Sequence, residues 1–353
     1  MKKFAVFSGF LGSGKTTAMM ALTRYHSAQH GKAAMISNDL GDMSLADHKL
    51  AVLAGCNASE LTGECICFQT ENLVARLDAL FDADGCELVI SDIPGFGVGA
   101  PDHVYHTLQT RYPGRYALAP FTVLTEPRTA ALLRDGQGGD LAHILRAQLQ
   151  EADLIVLNKC DLLSEEEQAR ELSYLRQRFP RAQVLGISAL TGQGLEQLSQ
   201  ALTQGCASTQ LPDIDYDSPD LDRAMSRLSE YYLQYYAVVC CNVFDGDAYL
   251  MALARAVQDG VRDLGCEIPH LKLLAWEPEG AYAKVDLLGA ERPIEVAARL
   301  NRPCTELAVM LNGSAVCPDA ALDRIITGAA ETVSEQYNLA MTVYKKECFG
   351  MGD

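Results

Sequence analysis

A Gly-x-x-x-x-Gly-Lys-Thr run, Gly9-Phe10-Leu11-Gly12-Ser13-Gly14-Lys15-Thr16, narrows the possible folds more than any other part of this sequence. Its glycines let the backbone curl tightly and aim successive N–H groups into one concavity. A polyphosphate needs that density of donors. Lys15 can reach the terminal phosphates, and the Thr16 hydroxyl can ligate Mg2+. From Thr17 onward the chain reads as a helix, whose N-terminus favours an anion. Phe4-Ala5-Val6-Phe7 before the loop reads as a buried strand, and Thr17-Ala18-Met19-Met20-Ala21-Leu22 after it as the helix. An incidental Gly-rich turn would not need this strand–loop–helix setting.

Strand and helix patterns alternate up to about residue 204. Strands are expected at 3–8, 33–37, 87–91, 117–124, 154–157 and 183–187. Helices are expected after Lys15, Glu71, Gly139, Ser164 and Gly194. This is an α/β pattern: a mainly parallel sheet flanked by helices, built as a P-loop NTPase domain over residues 1–204. Residues 205–230 hold the acidic, proline-bearing stretch Pro212-Asp213-Ile214-Asp215-Tyr216-Asp217-Ser218-Pro219-Asp220, which reads as a linker or docking strip. Residues 231–353 read as a small α+β domain. Its strands are expected at 236–244, 271–276, 281–288 and 305–311, and its helices at 247–261 and 319–337.

Further signals follow the loop in the order a GTPase requires. Glu87-Leu88-Val89-Ile90-Ser91 runs into Asp92-Ile93-Pro94-Gly95, an Asp-x-x-Gly. Asp92 would help hold Mg2+, and the Gly95 N–H would sense the γ-phosphate. Asn158-Lys159-Cys160-Asp161 ends an apolar strand. Guanine carries two adjacent donors, which the Asp161 carboxylate can accept in a fork; adenine lacks that pair. Asn158 would tie the base-binding loops together, and the Lys159 stem would lie over the ring. Ser188-Ala189-Leu190 would back the base with an N–H. Asn38-Asp39-Leu40-Gly41-Asp42 follows the second strand; Asp39 can stand near Mg2+ or the attacking water, and a solvated turn fits equally well.

The net charge of −17 disfavours nucleic acid or an anionic membrane as partner. No apolar run reaches the roughly 18 residues of a spanning helix. The start, Lys2-Lys3 and then Phe4 onward, imitates a signal peptide but leads into the phosphate loop, so no targeting segment and a cytoplasmic location are expected. In that compartment the 12 cysteines are thiols. Cys240-Cys241 lies in an apolar run and reads as packing, as do Cys86, Cys206, Cys266, Cys304, Cys317 and Cys348.

Glu60-Leu61-Thr62-Gly63-Glu64-Cys65-Ile66-Cys67-Phe68 differs from these. Cys65 and Cys67 offer two soft thiolates to one metal ion, and Cys56 could add a third. With the phosphate loop, Asn38-Asp39-Leu40-Gly41-Asp42, this segment and Asn-Lys-x-Asp, the chain resembles the CobW/UreG/HypB family of metallochaperone GTPases, and its CobW branch most. Gln148-Leu149-Gln150-Glu151-Ala152-Asp153 is similar to that branch as well. The resemblance implies GTP and Mg2+ as ligands, Zn2+ or Co2+ as cargo, and a client metalloprotein or corrinoid protein, with a homodimer among the expected assemblies. It also implies a small C-terminal domain. Phe68 stands where the family's Cys-x-Cys-Cys has its third cysteine, Asp92 where the family usually has Glu, and no histidine-rich tract exists. His103 and His106 could share a helix face, and a structural role fits them better than ligation. Residues 120–127 are similar to a CobW-like subgroup that accompanies corrinoid-dependent methyl transfer. A GTP-dependent reactivating chaperone without metal cargo therefore stands as the alternative function. An ATP-dependent kinase is disfavoured by Asp161.

Overall fold

A computed structural model describes residues 2–38, 40, 46–239 and 243–351. The chain forms two compact units, residues 1–224 and 225–353.

Among the described residues of the first unit, eight strands form one sheet: β1 Lys3–Ser8, β2 Ala33–Asn38, β3 Ala58–Leu61, β4 Leu88–Asp92, β5 Ala117–Leu118, β6 Thr122–Thr125, β7 Leu154–Leu157 and β8 Gln183–Gly186. The order is β3-β2-β4-β1-β6-β7-β8, with β5 also on β1, and every pairing is parallel. Apolar runs such as Phe4-Ala5-Val6-Phe7 and Leu154-Ile155-Val156-Leu157 are wholly buried because helices cover both faces of a parallel sheet. After β1 the chain crosses to β2 and β3, returns at β4, and only then builds the other side. The carboxyl ends of β1 and β4 therefore lie at the switch point, where open α/β sheets bind ligands.

The expected strand 117–124 is two strands. Pro120 has no N–H to give to a ladder, so the run breaks there, and Thr122 Oγ1 donates to the Pro120 carbonyl at 2.9 Å. The stretch read as a linker is ordered. Ala207 N donates to Leu118 O at 3.1 Å, and a helix spans Pro219–Ser226. Cys206, read as packing, is exposed.

In the second unit, β9 Ser229–Val239, β11 Glu267–Trp276, β12 Tyr282–Leu287, β13 Glu295–Ala298, β15 Glu306–Val316 and β16 Leu339–Gly350 form an antiparallel sheet in the order β13-β12-β11-β15-β9-β16. β10 Phe244–Asp245 and β14 Pro303–Cys304 pair separately. Helices Gly246–Asp263 and Asp319–Gln336 bury Leu250, Leu253, Leu322 and Ile326 in a core shared with Leu233, Leu273 and Leu311. The strand expected at 236–244 starts earlier, at Ser229, because Tyr231, Tyr232, Leu233 and Tyr235 are all buried. Cys240 and Cys241 lie outside the described residues. Among the described residues no helix is long and apolar enough to cross a membrane.

Candidate functional site

The glycine-rich loop leaves β1 and enters helix Lys15–Gln29 through Gly14, whose φ is +85°. A Cβ at Gly14 would stand 2.4 Å from Asn158 Nδ2, so no larger residue fits. Ser13 N closes a turn on Phe10 O at 3.1 Å. No side chain caps the helix, which leaves its first N–H groups to serve the loop. Lys15 Nζ reaches back to the Gly9 carbonyl at 2.5 Å. The Ser13 hydroxyl is buried and makes no hydrogen bond among the described residues, as is true of Ser8 and Thr125 at the ends of β1 and β6. A donor-rich loop with an open buried hydroxyl suits a polyphosphate.

Asp92 is the last residue of β4, in register with Phe7 of β1, and is 5% exposed. One of its oxygens accepts from Asn38 N at 2.9 Å. Thr16 sits at the start of the neighbouring helix. This hydroxyl and this carboxylate are hard oxygen donors of the kind Mg2+ takes. The following loop presses on the phosphate loop: a Cβ at Gly95 would lie 2.5 Å from Leu11 Cδ2 and 3.2 Å from Leu11 N. Asp39, with Gly41 and Asp42, lies outside the described residues.

On the other side, Asn158 is 2% exposed and bridges two loops. Its Nδ2 donates to Ser13 O at 3.0 Å, and its Oδ1 accepts from Ala189 N at 3.0 Å. Phosphate loop, Asn-Lys-x-Asp and Ser188-Ala189-Leu190 thus meet at one side chain. Lys159 adopts a left-handed φ of +60°. Its ammonium pairs with Glu126 at 2.8 Å. Asp161 is exposed on the short helical turn Cys160–Leu162, so its carboxylate faces solvent. Ser188 Oγ accepts from Thr191 N at 3.1 Å and shapes the third loop. Leu190 is 81% exposed.

The cysteine segment belongs to the same edge. Cys65 and Cys67 are buried, with their sulfurs 3.0 Å apart. The contact with Cys65, then burial and the nearby Glu151 charge, push the Cys67 thiol far above its usual range. A metal ion would have to displace these protons. Cys56 does not join them in a ligand set. Its thiol faces Met20 O at 3.9 Å, and it lines a separate pocket with Thr23, Arg24 and Lys32. Among the described residues, no group of three or more His, Cys, Asp or Glu is disposed to hold a metal. Phe68 is 70% exposed and packs against the His103 ring at 5.7 Å.

Asn38, at the end of β2, fastens this segment to the nucleotide side. Its Nδ2 donates to Leu61 O at 3.0 Å and to Glu64 O at 2.9 Å, while its Oδ1 accepts from Ile66 N at 2.9 Å. Its backbone N–H is the one bonded to Asp92. Sequence reasoning assigned Asn38 no role of its own, and none to Glu126. A polar residue at the end of β2 is the signal that points to Asn38, and a carboxylate directly after β6 the one that points to Glu126.

Two relatives match about half of the chain, and the chain in turn spans half or less of their length. The zinc chaperone YeiR of Escherichia coli (strain K12) is 30% identical over 172 residues, 48% of this chain and 50% of that protein. The zinc-regulated GTPase metalloprotein activator 1 of Dictyostelium discoideum is 27% identical over 217 residues, 51% of this chain and 44% of that protein. Among solved structures, HypB from Helicobacter pylori in complex with nickel is similar at 17% identity and a TM-score of 0.43, over 59% of this chain and 90% of that one. Residues 3–185, more than half of the chain and the stretch that carries every strand of the parallel sheet, match the CobW/HypB/UreG nucleotide-binding domain. The chain belongs to the CobW/HypB/UreG family.

Proposed function

We propose that this protein binds GTP, hydrolyses it with Mg2+, and couples its nucleotide state to the handling of a thiol-bound metal ion for a client metalloprotein in the cytoplasm. The observation that carries the reading is Asn38, which bonds the Asp92 carboxylate through its backbone and the Cys65–Cys67 segment through its side chain. The N–H groups of the glycine loop and Lys15 bind the phosphates and stabilise charge growing on the γ-phosphoryl oxygens. Asp161 accepts the two guanine donors, with Asn158 holding its loop against the phosphate loop. Thr16 and Asp92 would hold Mg2+, which supplies charge neutralisation at the β- and γ-phosphates when bound. Gly95 reports the presence of the γ-phosphate, and Asp39, next after Asn38 in the sequence, would face Mg2+ or the attacking water.

The cargo is a soft divalent ion, Zn2+ or Co2+, taken by the Cys65 and Cys67 thiolates. The names of the relatives, a zinc chaperone and a zinc-regulated GTPase, support zinc. Cys65→Ser with Cys67→Ser tests this directly. Metal retained after anaerobic purification is expected to fall to background, and metal-dependent change in GTP turnover to disappear. Unchanged metal content and turnover in that variant would remove the cargo from the reading.

A second reading is favoured by the mutual contact of the two thiols and by Phe68 in the third cysteine position. In it the protein is a GTP-dependent reactivating chaperone for a corrinoid methyltransferase system, and the thiols only pack. GTP-dependent binding of a corrinoid protein that survives the double cysteine substitution would support it.

A further inference from the structure

Gln148-Leu149-Gln150-Glu151-Ala152-Asp153 closes helix Leu141–Glu151. The functional reading above does not use it, yet it carries costly groups. Gln148 is 1% exposed and Glu151 3% exposed. A buried amide or carboxyl is destabilising unless its hydrogen bonds are made. Each of these side chains bonds to a backbone far away in sequence, although Glu151 Oε2 is buried with no hydrogen bond among the described residues. Gln148 Nε2 donates to Gly95 O at 3.1 Å and to Gly97 O at 3.0 Å. Glu151 Oε1 accepts from Gly99 N. One helix end thus holds Gly95-Phe96-Gly97-Val98-Gly99, the loop that follows Asp92, at three backbone groups.

The same helix end also holds the acidic strip. Asp153 Oδ2 accepts from Phe121 N at 2.9 Å and from Ser208 N at 3.1 Å. Arg181 Nη2 donates to Gln210 O at 3.1 Å. Further along, burial and the neighbouring Glu151 carboxyl push the Tyr216 hydroxyl well above its usual range. Glu151 shares a narrow pocket with Pro101, Tyr105, Ser208 and Leu211. It therefore touches the loop behind Gly95 on one side and the strip on the other.

We propose that Glu151 is a positioning residue that passes the state of the Gly95–Gly99 loop to the strip around Tyr216. The inference rests on the reading of the site as a GTP-dependent switch. When Gly95 gains or loses the γ-phosphate, the loop shifts and carries the Gly99 N–H with it. Glu151 is bonded to that N–H and shares its pocket with Ser208 and Leu211 of the strip, so it follows the loop and the strip is displaced or held. This gives the switch two discrete arrangements rather than a graded one.

The test is amide hydrogen exchange of the full chain with Mg2+ and either GDP or guanosine 5′-(β,γ-imido)triphosphate. Peptides spanning residues 208–217 are expected to differ between the two states by at least about fivefold in exchange rate, the lower end of ordinary coupling energies. Tyr216→Phe removes only the hydroxyl. It is expected to cut that difference below about twofold while leaving affinity for both nucleotides unchanged. Glu151→Gln keeps an acceptor for Gly99 N and a donor for the Tyr216 oxygen, so it retains the difference; Glu151→Ala loses it. If Glu151→Ala fails to fold, the other two variants carry the test alone. A strip insensitive to nucleotide in the unaltered protein, or a full difference persisting in Tyr216→Phe, overturns the relay. Absence of binding to either nucleotide is read separately from affinity, and it removes the GTP switch together with the relay.

Discussion

Buried polar groups behave differently in the two units. At the loop edge of the parallel sheet, the hydroxyls of Ser8, Ser13, Ser37 and Thr125 are buried with no hydrogen bond among the described residues. In the antiparallel unit several counterparts close on one another, although Asn312 Oδ1 is buried there with no hydrogen bond among the described residues. Tyr235 and Tyr249 hydroxyls meet at 2.6 Å, and Tyr249 meets Ser334 at 3.0 Å. His270 Nε2 contacts Asp286 at 2.8 Å, and Lys284 donates to the same carboxylate at 2.5 Å. Burial of an unpartnered polar group costs about 1–3 kcal/mol. A chain that keeps several of them on one edge keeps them for a ligand. The paired groups of the second unit fix its own core. What sets the first unit apart is that its open hydroxyls gather at the strand ends beside the glycine-rich loop.

Gly14→Ala strikes the open edge hardest. The new methyl group would meet Asn158 at 2.4 Å with the backbone at φ +85°. Strain of about 1–3 kcal/mol falls on the glycine-rich loop and on the residue that joins it to the Asn-Lys-x-Asp and Ser-Ala-Leu loops. GTP turnover, measured as kcat/KM, is expected to fall by roughly 5- to 150-fold. Turnover within a few-fold of the unaltered protein would break the comparison.

Two buried groups, Glu151 in the first unit and His270 in the second, titrate in opposite senses. Burial pushes Glu151 up to about 8 from an ordinary 4.5, against the opposing pull of the Gly99 N–H and Tyr216. The native state then holds this proton more tightly than the unfolded chain. Its contribution is full below about 4.5 and is lost as pH rises through 8. Burial lowers His270 to about 4 from 6.5, despite Asp286 beside it. Its contribution is full above 6.5 and is lost as pH falls through 4. Denaturant unfolding of the full chain between pH 5 and 8 is expected to show Glu151→Gln flattening the loss on the alkaline side, by roughly 2–4 kcal/mol at most. An unchanged alkaline slope in Glu151→Gln would show that this carboxyl is not held as a buried acid.

Base selection comes next in size. Asp161 is exposed on its turn. Asp161→Asn removes one acceptor and introduces a donor against a donor. By calorimetric titration, GTP affinity is expected to fall roughly 10- to 100-fold, as for a lost charge-assisted hydrogen bond. ATP affinity is expected to stay flat. A parallel loss of both would mean that the site does not read the base through this residue.

Much of the open edge was legible in the sequence because its geometry is local. A left-handed turn demands glycine at position 14, and the loop's donors are its own backbone. Gln148, Glu151, Glu126 and Asn38 were not legible as parts of the site. Their partners are groups 23 to 53 residues away at Leu61, Gly95, Gly99 and Lys159, and no spacing rule encodes those contacts. Cys56 shows the converse: nine residues from Cys65, it faces Met20 instead. Among strands, the wholly buried runs were plain. β3 was hidden because Leu61 is its one buried residue, and β16 because Lys345, Lys346 and Glu347 interrupt the apolar pattern of an edge strand. The strand expected to stop at 311 runs to Val316 because buried Asn312 and Ser314 interrupt the apolar pattern; Ser314 is satisfied by Glu230.

The smallest expected effect lies in the second unit, at Gly328. It sits within helix Asp319–Gln336, and a Cβ built there meets nothing within 4 Å. Glycine in a helix interior costs about 0.5–1 kcal/mol relative to alanine, because the unfolded chain has more freedom to lose. Gly328→Ala is therefore expected to stabilise the protein by about that amount, read from the midpoint of denaturant unfolding, with GTP turnover unchanged. The same substitution at Gly14 is expected to cut turnover instead, since there the missing methyl group is what lets Asn158 approach the phosphate loop. If Gly328→Ala instead destabilised the protein, that helix face would already be occupied, and the second unit would have a surface waiting for a partner in the way that the first has an edge waiting for a nucleotide.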